Sequence, residues 1–412
     1  MSLDLKKLIH QIKNVESKEP WDINHKRLEA TYRTFQIACE KQDYLIRKLA
    51  EVQDTQKAAF YFGTPSLDRK GELSLDTITN WDPGFSLPHI VVATDGSQIN
   101  PSNHEFINAS LINIGLVSLP YFDKSPPVLI SSEPACYGSS EEINPRVSNG
   151  DILEEDLIAY ERTLKEIESL VKLSKEYVKY KVPIVALLDG TIVHWHIEKF
   201  SNLFIEHFIS RFSNALLELK SLGIPVASFL SNSRSNDLVN MLRIFKCPYE
   251  EVDCKKHCSQ VESKNLPCNP CPDYKPVFDR KLIEKYFGSE NINIGARTIL
   301  FRSNSRILNY YPPDLKVYFF YVYTGTEIAR VELPAYVAES GSLFSLLHNV
   351  VSLQCKVGFG YPVSLSEAHL QAVITKRDRE VFYDLLREHT LKEVRQPVRL
   401  SAKELKKRIS FV

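Results

Sequence analysis

Apolar positions recur at helical spacing among many charges over residues 22 to 60, with Leu45, Leu49 and Val52 on one face. The chain therefore opens with one or two long amphipathic helices. The stretch from Tyr61 to Leu87, rich in Gly, Pro, Ser and Thr, reads as a linker. The period then changes. His89-Ile90-Val91-Val92-Ala93-Thr94 predicts a buried strand that stops at Asp95-Gly96-Ser97, and residues 107–118 and 127–132 supply two more strands without a long helix between them. That pattern favours an antiparallel meander. From Gly150 to Lys181 a charged helix carries the stripe Leu157, Leu164, Ile167, Leu170, Val171 and Val178. It leads into a second apolar strand over 182–188, which again ends in Asp-Gly at Asp189-Gly190.

A helix near 198–222, a strand at 224–230 and a helix at 235–245 continue the alternation. A loop-rich, cysteine-rich insertion, about 246–276, interrupts it. Beyond, strands 317–323 and 327–333 flank the hairpin signal Thr324-Gly325-Thr326, and helices near 341–356 and 364–389 complete the core. The last 23 residues, from Thr390, hold seven Lys or Arg against two Glu and read as an exposed or partner-docked basic tail, about 390–412. The predicted organisation is an N-terminal helical arm and linker over 1–87 and one α/β domain over 88–412 that contains the insertion and the tail.

Composition narrows the partners. Lys+Arg and Asp+Glu both count 51, which excludes a uniformly basic nucleic-acid coat but leaves room for a local basic channel. A hydrophobic content of 43%, with 21 Phe and 19 Tyr, supports a buried core rather than disorder. No apolar run approaches the roughly 18 to 20 residues that cross a bilayer, and the start lacks a signal-peptide apolar region. The expectation is a cytoplasmic protein with no membrane association. Five of the eight Cys crowd into Cys247 to Cys271, and in a reducing compartment such a cluster points to metal before disulfides.

Ligands of α/β sheets gather at the carboxyl ends of strands, and here two buried strands each deliver an acid, Asp95 and Asp189. The plainer reading is that Asp-Gly-Ser/Thr merely ends strands. Carboxylates that converge repel one another unless a cation lies between them, and hard oxygen ligands suit Mg²⁺ or Mn²⁺. Phosphodiester hydrolysis is a natural use of such a pair. Three strands in a meander, then a helix, a strand and a helix, resemble the ribonuclease H-like fold, with Asp95 on strand one and Asp189 on strand four. The helix before Asp189 offers Glu161, Glu166, Glu168 and Glu176 as a third acid. Glu168, between Ile167 and Leu170-Val171, borders the apolar stripe and is the choice; Glu166 reads as more solvated. Near the C-terminus, Gly360-Tyr361-Pro362 enters the final helix and places His369 about its first turn. There His369 is a candidate metal ligand or general acid or base, and the Tyr361 hydroxyl a candidate phosphate contact, with packing as the default role of both.

The motifs Val92-Ala93-Thr94-Asp95-Gly96-Ser97, Ala186-Leu187-Leu188-Asp189-Gly190-Thr191, Ile328-Ala329-Arg330-Val331-Glu332-Leu333-Pro334 and Gly360-Tyr361-Pro362 followed by Glu367-Ala368-His369 together resemble the NurA nuclease family, in its longer bacterial branch. The resemblance covers about residues 88 to 385. It implies a ribonuclease H-like core with a mixed sheet and Mn²⁺-dependent (or Mg²⁺-dependent) cleavage of single- and double-stranded DNA, as 5′ to 3′ exonuclease and single-strand endonuclease. It also implies a homodimer that works beside a HerA-type hexameric ATPase translocase in DNA end resection. Carried over by motif, the metal ligands fall on Asp95, Glu168, Asp189 and His369, and the family's tyrosine on Tyr361. Arg330 and Glu332 match a strand motif, and a structural ion pair is the alternative for them.

The cysteine run is Cys247-x6-Cys254-x3-Cys258-x9-Cys268-x2-Cys271, with His257 beside the third thiol. Four thiolates suit Zn²⁺ or a [4Fe–4S] cluster, and Cys247, Cys254, Cys258 and Cys268 are the preferred four. Free or disulfide-forming cysteines are the plainer reading. His194-Trp195-His196 has metal-like alternation, but packing is its commoner use. Lys403, Lys406, Lys407 and Arg408 of the tail suit phosphates or plain solvation. Two other functions stand beside the DNA nuclease: a catalytically silent adaptor that organises a repair or defence complex, and a nuclease whose substrate is RNA.

Overall fold

The computed structural model describes residues 4–16, 21–66, 74–101, 108–138, 154–262, 266–268, 277–290 and 292–394. In chain order the first elements are α1 (Leu5–Glu16), α2 (Trp21–Glu40), α3 (Gln42–Thr55), β1 (Gly63–Pro65), β2 (His89–Ile99), β3 (Ser110–Tyr121), β4 (Leu129–Tyr137), α4 (Glu154–Tyr177), β5 (Ile184–Asp189), α5 (Asn202–Ser221) and β6 (Val226–Leu230). There follow α6 (Asp237–Lys246), α7 (Cys254–Cys258), α8 (Asp279–Gly288), β7 (Phe301–Ser303), β8 (Val317–Tyr323), β9 (Ile328–Pro334), α9 (Ala335–Ala338), α10 (Gly341–Val357), α11 (Val363–Ala372) and α12 (Lys376–Val394). The chain groups into two compact units, each assembled from separate stretches of sequence. One comprises Met1–Trp81, Leu230–Leu308 and Lys316–Glu332, the other Asp82–Phe229, Asn309–Leu315 and Leu333–Val412. Among the described residues no helix is long and apolar enough to cross a membrane.

In the second unit the strand order is β6-β5-β2-β3-β4. β2, β3 and β4 form an antiparallel meander, whereas β5 runs parallel to β2 and β6 parallel to β5. This is the ribonuclease H-like mixed sheet that the pattern of strands predicts. Helices α4 and α11 both pack on β2 and β3, and strand alternation sends successive β2 side chains to opposite faces. Thr94 Oγ1 donates to the Glu166 carbonyl at 2.9 Å, so the even-numbered face meets α4. Asp95 looks the other way, toward α11.

The structure departs from the expected elements at two places. β2 does not stop at Asp95 but runs on to Ile99, paired with β3 through Asp95↔Gly115 and Ser97↔Asn113. Its parallel partner leaves earlier, the last pair being Thr94↔Leu188. Beyond Thr94 the strand is paired with β3 alone, at the carboxyl ends of β2 and β5 where α/β sheets hold their ligands. The C-terminal helix is also two helices rather than one. Val373 adopts φ −53°, ψ 125°, and Thr375 restarts the chain by bonding Asp378 Oδ2 from both its hydroxyl (2.6 Å) and its backbone N–H (2.9 Å). Asp378 N–H answers to Thr375 Oγ1 at 3.2 Å, a Thr-x-x-Asp version of the capping box.

In the first unit the strand order is β1-β7-β8-β9, and β1 lies within the stretch predicted as linker. Its core gathers Phe35, Leu45 and Leu49 from the N-terminal helices with Leu242, Phe287 and Phe319. Arg330 and Glu332 of β9 do form an ion pair. Arg330 Nε donates to Glu332 Oε1 at 2.8 Å and Nη1 to Asp237 Oδ2 at 2.8 Å, with the guanidinium 3.7 Å from the centre of the Phe319 ring. Both residues are 2% exposed, so loss of one partner would strand a buried charge.

Candidate active site

Asp95 leaves β2 just where its parallel partner ends. Its Oδ1 accepts the Gly96 N–H at 2.8 Å, and its Oδ2 stands 2.7 Å from His369 Nδ1. That reach depends on the residue opposite. A Cβ on Gly115 would lie 2.1 Å from the Ala368 carbonyl oxygen and 2.8 Å from Ala372 N, so only glycine lets α11 lie this close to the sheet. The helix end is pinned as well. Asn113 Nδ2 donates to the carbonyls of Gln371 (3.0 Å) and Ala372 (2.9 Å), and Ser97 Oγ donates to Ala372 O. These satisfy carbonyls that a helix C-terminus leaves open. His369 therefore sits in the last turn of the short α11, not in the first turn of a long helix.

Asp189 is the final residue of β5, and its Oδ1 accepts the Gly190 N–H at 2.9 Å. Gly190 has φ +87°, a conformation that favours glycine. The Tyr361 hydroxyl donates to the Asp189 carboxylate. Tyr361 is held by an edge-on contact with Phe229 of β6, ring centres 5.4 Å apart, and by a tight turn in which a Cβ on Gly358 would fall 1.9 Å from the Tyr361 carbonyl oxygen.

Of the α4 glutamates, the one on which Asp95 and Asp189 act electrostatically is Glu166, whereas sequence reasoning selects Glu168. Glu168 Oε1 accepts from Arg211 Nε (3.0 Å) and Nη2 (2.7 Å), while Glu161 takes the other side of the same guanidinium at 2.7 and 3.1 Å. Glu168 is thus tied into a helix-to-helix ion-pair cluster between α4 and α5. Glu166 lies against β2 instead. A Cβ on Gly96 would meet its Oε1 at 2.5 Å, and Arg162 Nε holds that oxygen at 3.1 Å. Both glutamates flank Ile167, so the stripe alone gives no rotation. The usable signals are Arg162 one turn before Glu166 and the small residue Gly96 beside Asp95.

The electrostatics tie these groups together. Burial, and then the nearby Asp95 and Asp189 carboxylates, push Glu166 up to about 8 against the pull of Arg162. Burial and Asp95 also raise Asp189, while the Tyr361 hydroxyl, the Gly190 N–H and His369 draw it down. Like charges are therefore crowded with too little positive charge to balance them. Among the described residues no three of His, Cys, Asp or Glu are already arranged to hold an ion. The donor set of hard carboxylate oxygens with one imidazole nevertheless fits a cation such as Mn²⁺ or Mg²⁺ chemically.

Other sequence candidates go elsewhere. His194 is buried against Phe208 and Phe212, at 4.9 and 4.5 Å between ring centres, and His196 stacks on Tyr160. Burial pushes His194 down to about 3, as suits a packed neutral ring. Cys247, Cys254, Cys258 and Cys268 belong to the first unit and line a small cavity there. Cys271 and the tail's Lys403, Lys406, Lys407 and Arg408 lie outside the described residues.

The model of the NurA domain matches residues 89–374. The chain belongs to the NurA nuclease family. The matched span carries Asp95, Glu166, Asp189, Tyr361 and His369, and it also takes in the cysteine-bearing segment. Among solved structures, the NurA nuclease from Sulfolobus solfataricus is 14% identical over 91% of this chain and 98% of its own, with a TM-score of 0.46. A NurA bound to dAMP and manganese is 11% identical over 73% of this chain and 88% of its own, with a TM-score of 0.32. No curated protein matches the sequence significantly.

Proposed function

We propose that this NurA protein is a metal-dependent deoxyribonuclease whose reaction centre is Asp95, Glu166, Asp189 and His369, with Tyr361 as a positioning residue. The observation that carries the reading is the crowding of Glu166 and Asp189 with Asp95 where β2 and β5 part, with His369 in contact with Asp95. A divalent cation held there, Mn²⁺ by preference, supplies charge neutralisation and activation of the attacking water. The protein's own part is arrangement. With Nδ1 donating to Asp95, His369 keeps the Nε2 lone pair for a ligand or proton. Arg162 holds one Glu166 oxygen, Gly190 N–H and the Tyr361 hydroxyl fix Asp189, and Gly115 lets α11 bring the imidazole in.

The finer activities belong to the same proposal: 5′ to 3′ exonuclease and single-strand endonuclease action on DNA, as a cytoplasmic homodimer beside a HerA-type hexameric ATPase in end processing. The deciding experiment incubates labelled linear duplex and single-stranded DNA with Mn²⁺, with and without that ATPase. Cleavage by the native chain and its loss in Asp95→Ala are expected. Absence of products under every condition would overturn the nuclease and leave the adaptor, while cleavage of RNA in preference to DNA would reassign the substrate.

A further inference from the structure

We propose that Cys247, Cys254, Cys258 and Cys268 bind a second metal centre, a four-thiolate site for zinc or an iron–sulfur cluster, independent of the nuclease reading. The four thiols come from three pieces of backbone and line one small cavity with Phe60, Arg243 and Val252. Cys247 is the residue that ends α6. Cys254 and Cys258 open and close α7, four residues apart and so on one helix face. Cys268, at 6% exposure, closes the ring. None of the four is paired in a disulfide.

One fixed cation stands beside the group. Arg243 Nη2 stands 4.0 Å from Cys268 Sγ, and its guanidinium is fixed 3.8 Å over the Phe60 ring. Four thiolates lining one cavity would repel one another, a conflict that a bound cation removes. The backbone around them is braced: Asp253 caps α7 by accepting Lys256 N–H at 2.8 Å, Cys254 N–H donates to Lys57 O at 3.2 Å, and Tyr249 stacks on His257 at 4.1 Å.

Over 247–262 the only helix is the five-residue α7, and a loop-rich piece with so little regular structure gains most from a cross-link. Cysteines that served only as small apolar residues have no reason to share a single cavity. No three of the described thiols are already arranged to hold an ion. Loading therefore requires side-chain rotation inward, each S–H giving its proton to solvent as its sulfur–metal bond forms.

The test uses full-length protein, produced with zinc and iron supplied and purified without oxygen or chelator. Metal content, acid-labile sulfide and thiol reactivity are then measured. About one zinc per chain, or about four irons with matching sulfide and a visible absorption that bleaches on reduction, supports the site and identifies its occupant. Metal should fall at least tenfold in Cys254→Ser and Cys258→Ser and stay in Cys39→Ser. Cys258→Ser, the more exposed change, keeps the test open if Cys254→Ser misfolds. Metal-free native protein that takes up neither ion and whose thiols all react freely would overturn the proposal, as would full metal content in folded Cys258→Ser.

Discussion

His369 Nδ1 and Asp95 Oδ2 are 2.7 Å apart although 274 positions separate them in the chain. Their contact is set by residues that carry no reactive group. Gly115 admits the helix, and Ser97 and Asn113, partners in the β2–β3 register, hold its C-terminal carbonyls. The His369–Asp95 contact is thus built by one face of a hairpin acting on one end of a short helix.

Glu166 and Glu168, two residues apart, should separate in function. Glu166→Gln is expected to cut cleavage by about 10²-fold or more, the scale of losing a charged group from a preorganised centre. Glu168→Gln should keep cleavage within a few-fold. Single-turnover rates with Mn²⁺ on the same oligonucleotide decide, and equal losses in the two variants would return Glu168 to the centre.

Arg211 bridges Glu161 and Glu168 and should act on stability alone. Its removal leaves Glu161, whose side chain is 8% exposed, without its bidentate partner. Because Arg211 is itself partly exposed, the cost of Arg211→Ala should be about 1–2 kcal/mol, less than for a fully buried pair. Urea unfolding measures it, and a cleavage rate that falls far more than the stability does would show a catalytic part for this cluster.

Gly115→Ala adds a methyl where backbone atoms of Ala368 and Ala372 already stand, and backbone yields less readily than a side chain. The expected result is a loss of about 1–3 kcal/mol from overpacking. It should come with a fall in cleavage, because His369 moves with its helix. Hydrogen exchange over 363–372 should quicken in the variant; unchanged exchange and full activity would show that the helix has room after all.

His194 gives the fold an acid weakness. Its folded value lies near 3, below the usual value of 6.5, through burial. Between about pH 6.5 and 3 the unfolded chain binds a proton that the folded chain refuses. Stability is therefore complete above that window and declines as pH falls through it, by up to about 1.4 kcal/mol per pH unit for one such group. Urea midpoints from pH 7 to 4 should show a shallower decline in His194→Phe than in the native chain.

Much of the second unit was legible because strands advertise themselves locally. A run such as Ile90-Val91-Val92-Ala93 is apolar on both faces, and both acids at strand ends follow from chain order. The choice among the α4 glutamates was not legible. Glu166 and Glu168 straddle the same apolar stripe, and which of them lies against Gly96 depends on how the helix is rotated against β2. The Thr375–Asp378 capping box marks the break between α11 and α12 in sequence, but the apolar pattern running through 364–389 obscures it.

The sequence by itself determined the alternation of strands and helices, the Asp95 and Asp189 strand ends, the family motifs and the crowding of cysteines, since each is written in neighbouring residues and their spacing. Only the tertiary structure decided that Glu166 joins the aspartates while Glu168 joins Arg211, that His369 reaches Asp95 past Gly115, and that four thiols face one cavity. Those relations depend on helix rotation and on which backbones pack without a Cβ between them. Such quantities are set by the energy of the whole fold rather than by any local stretch of chain.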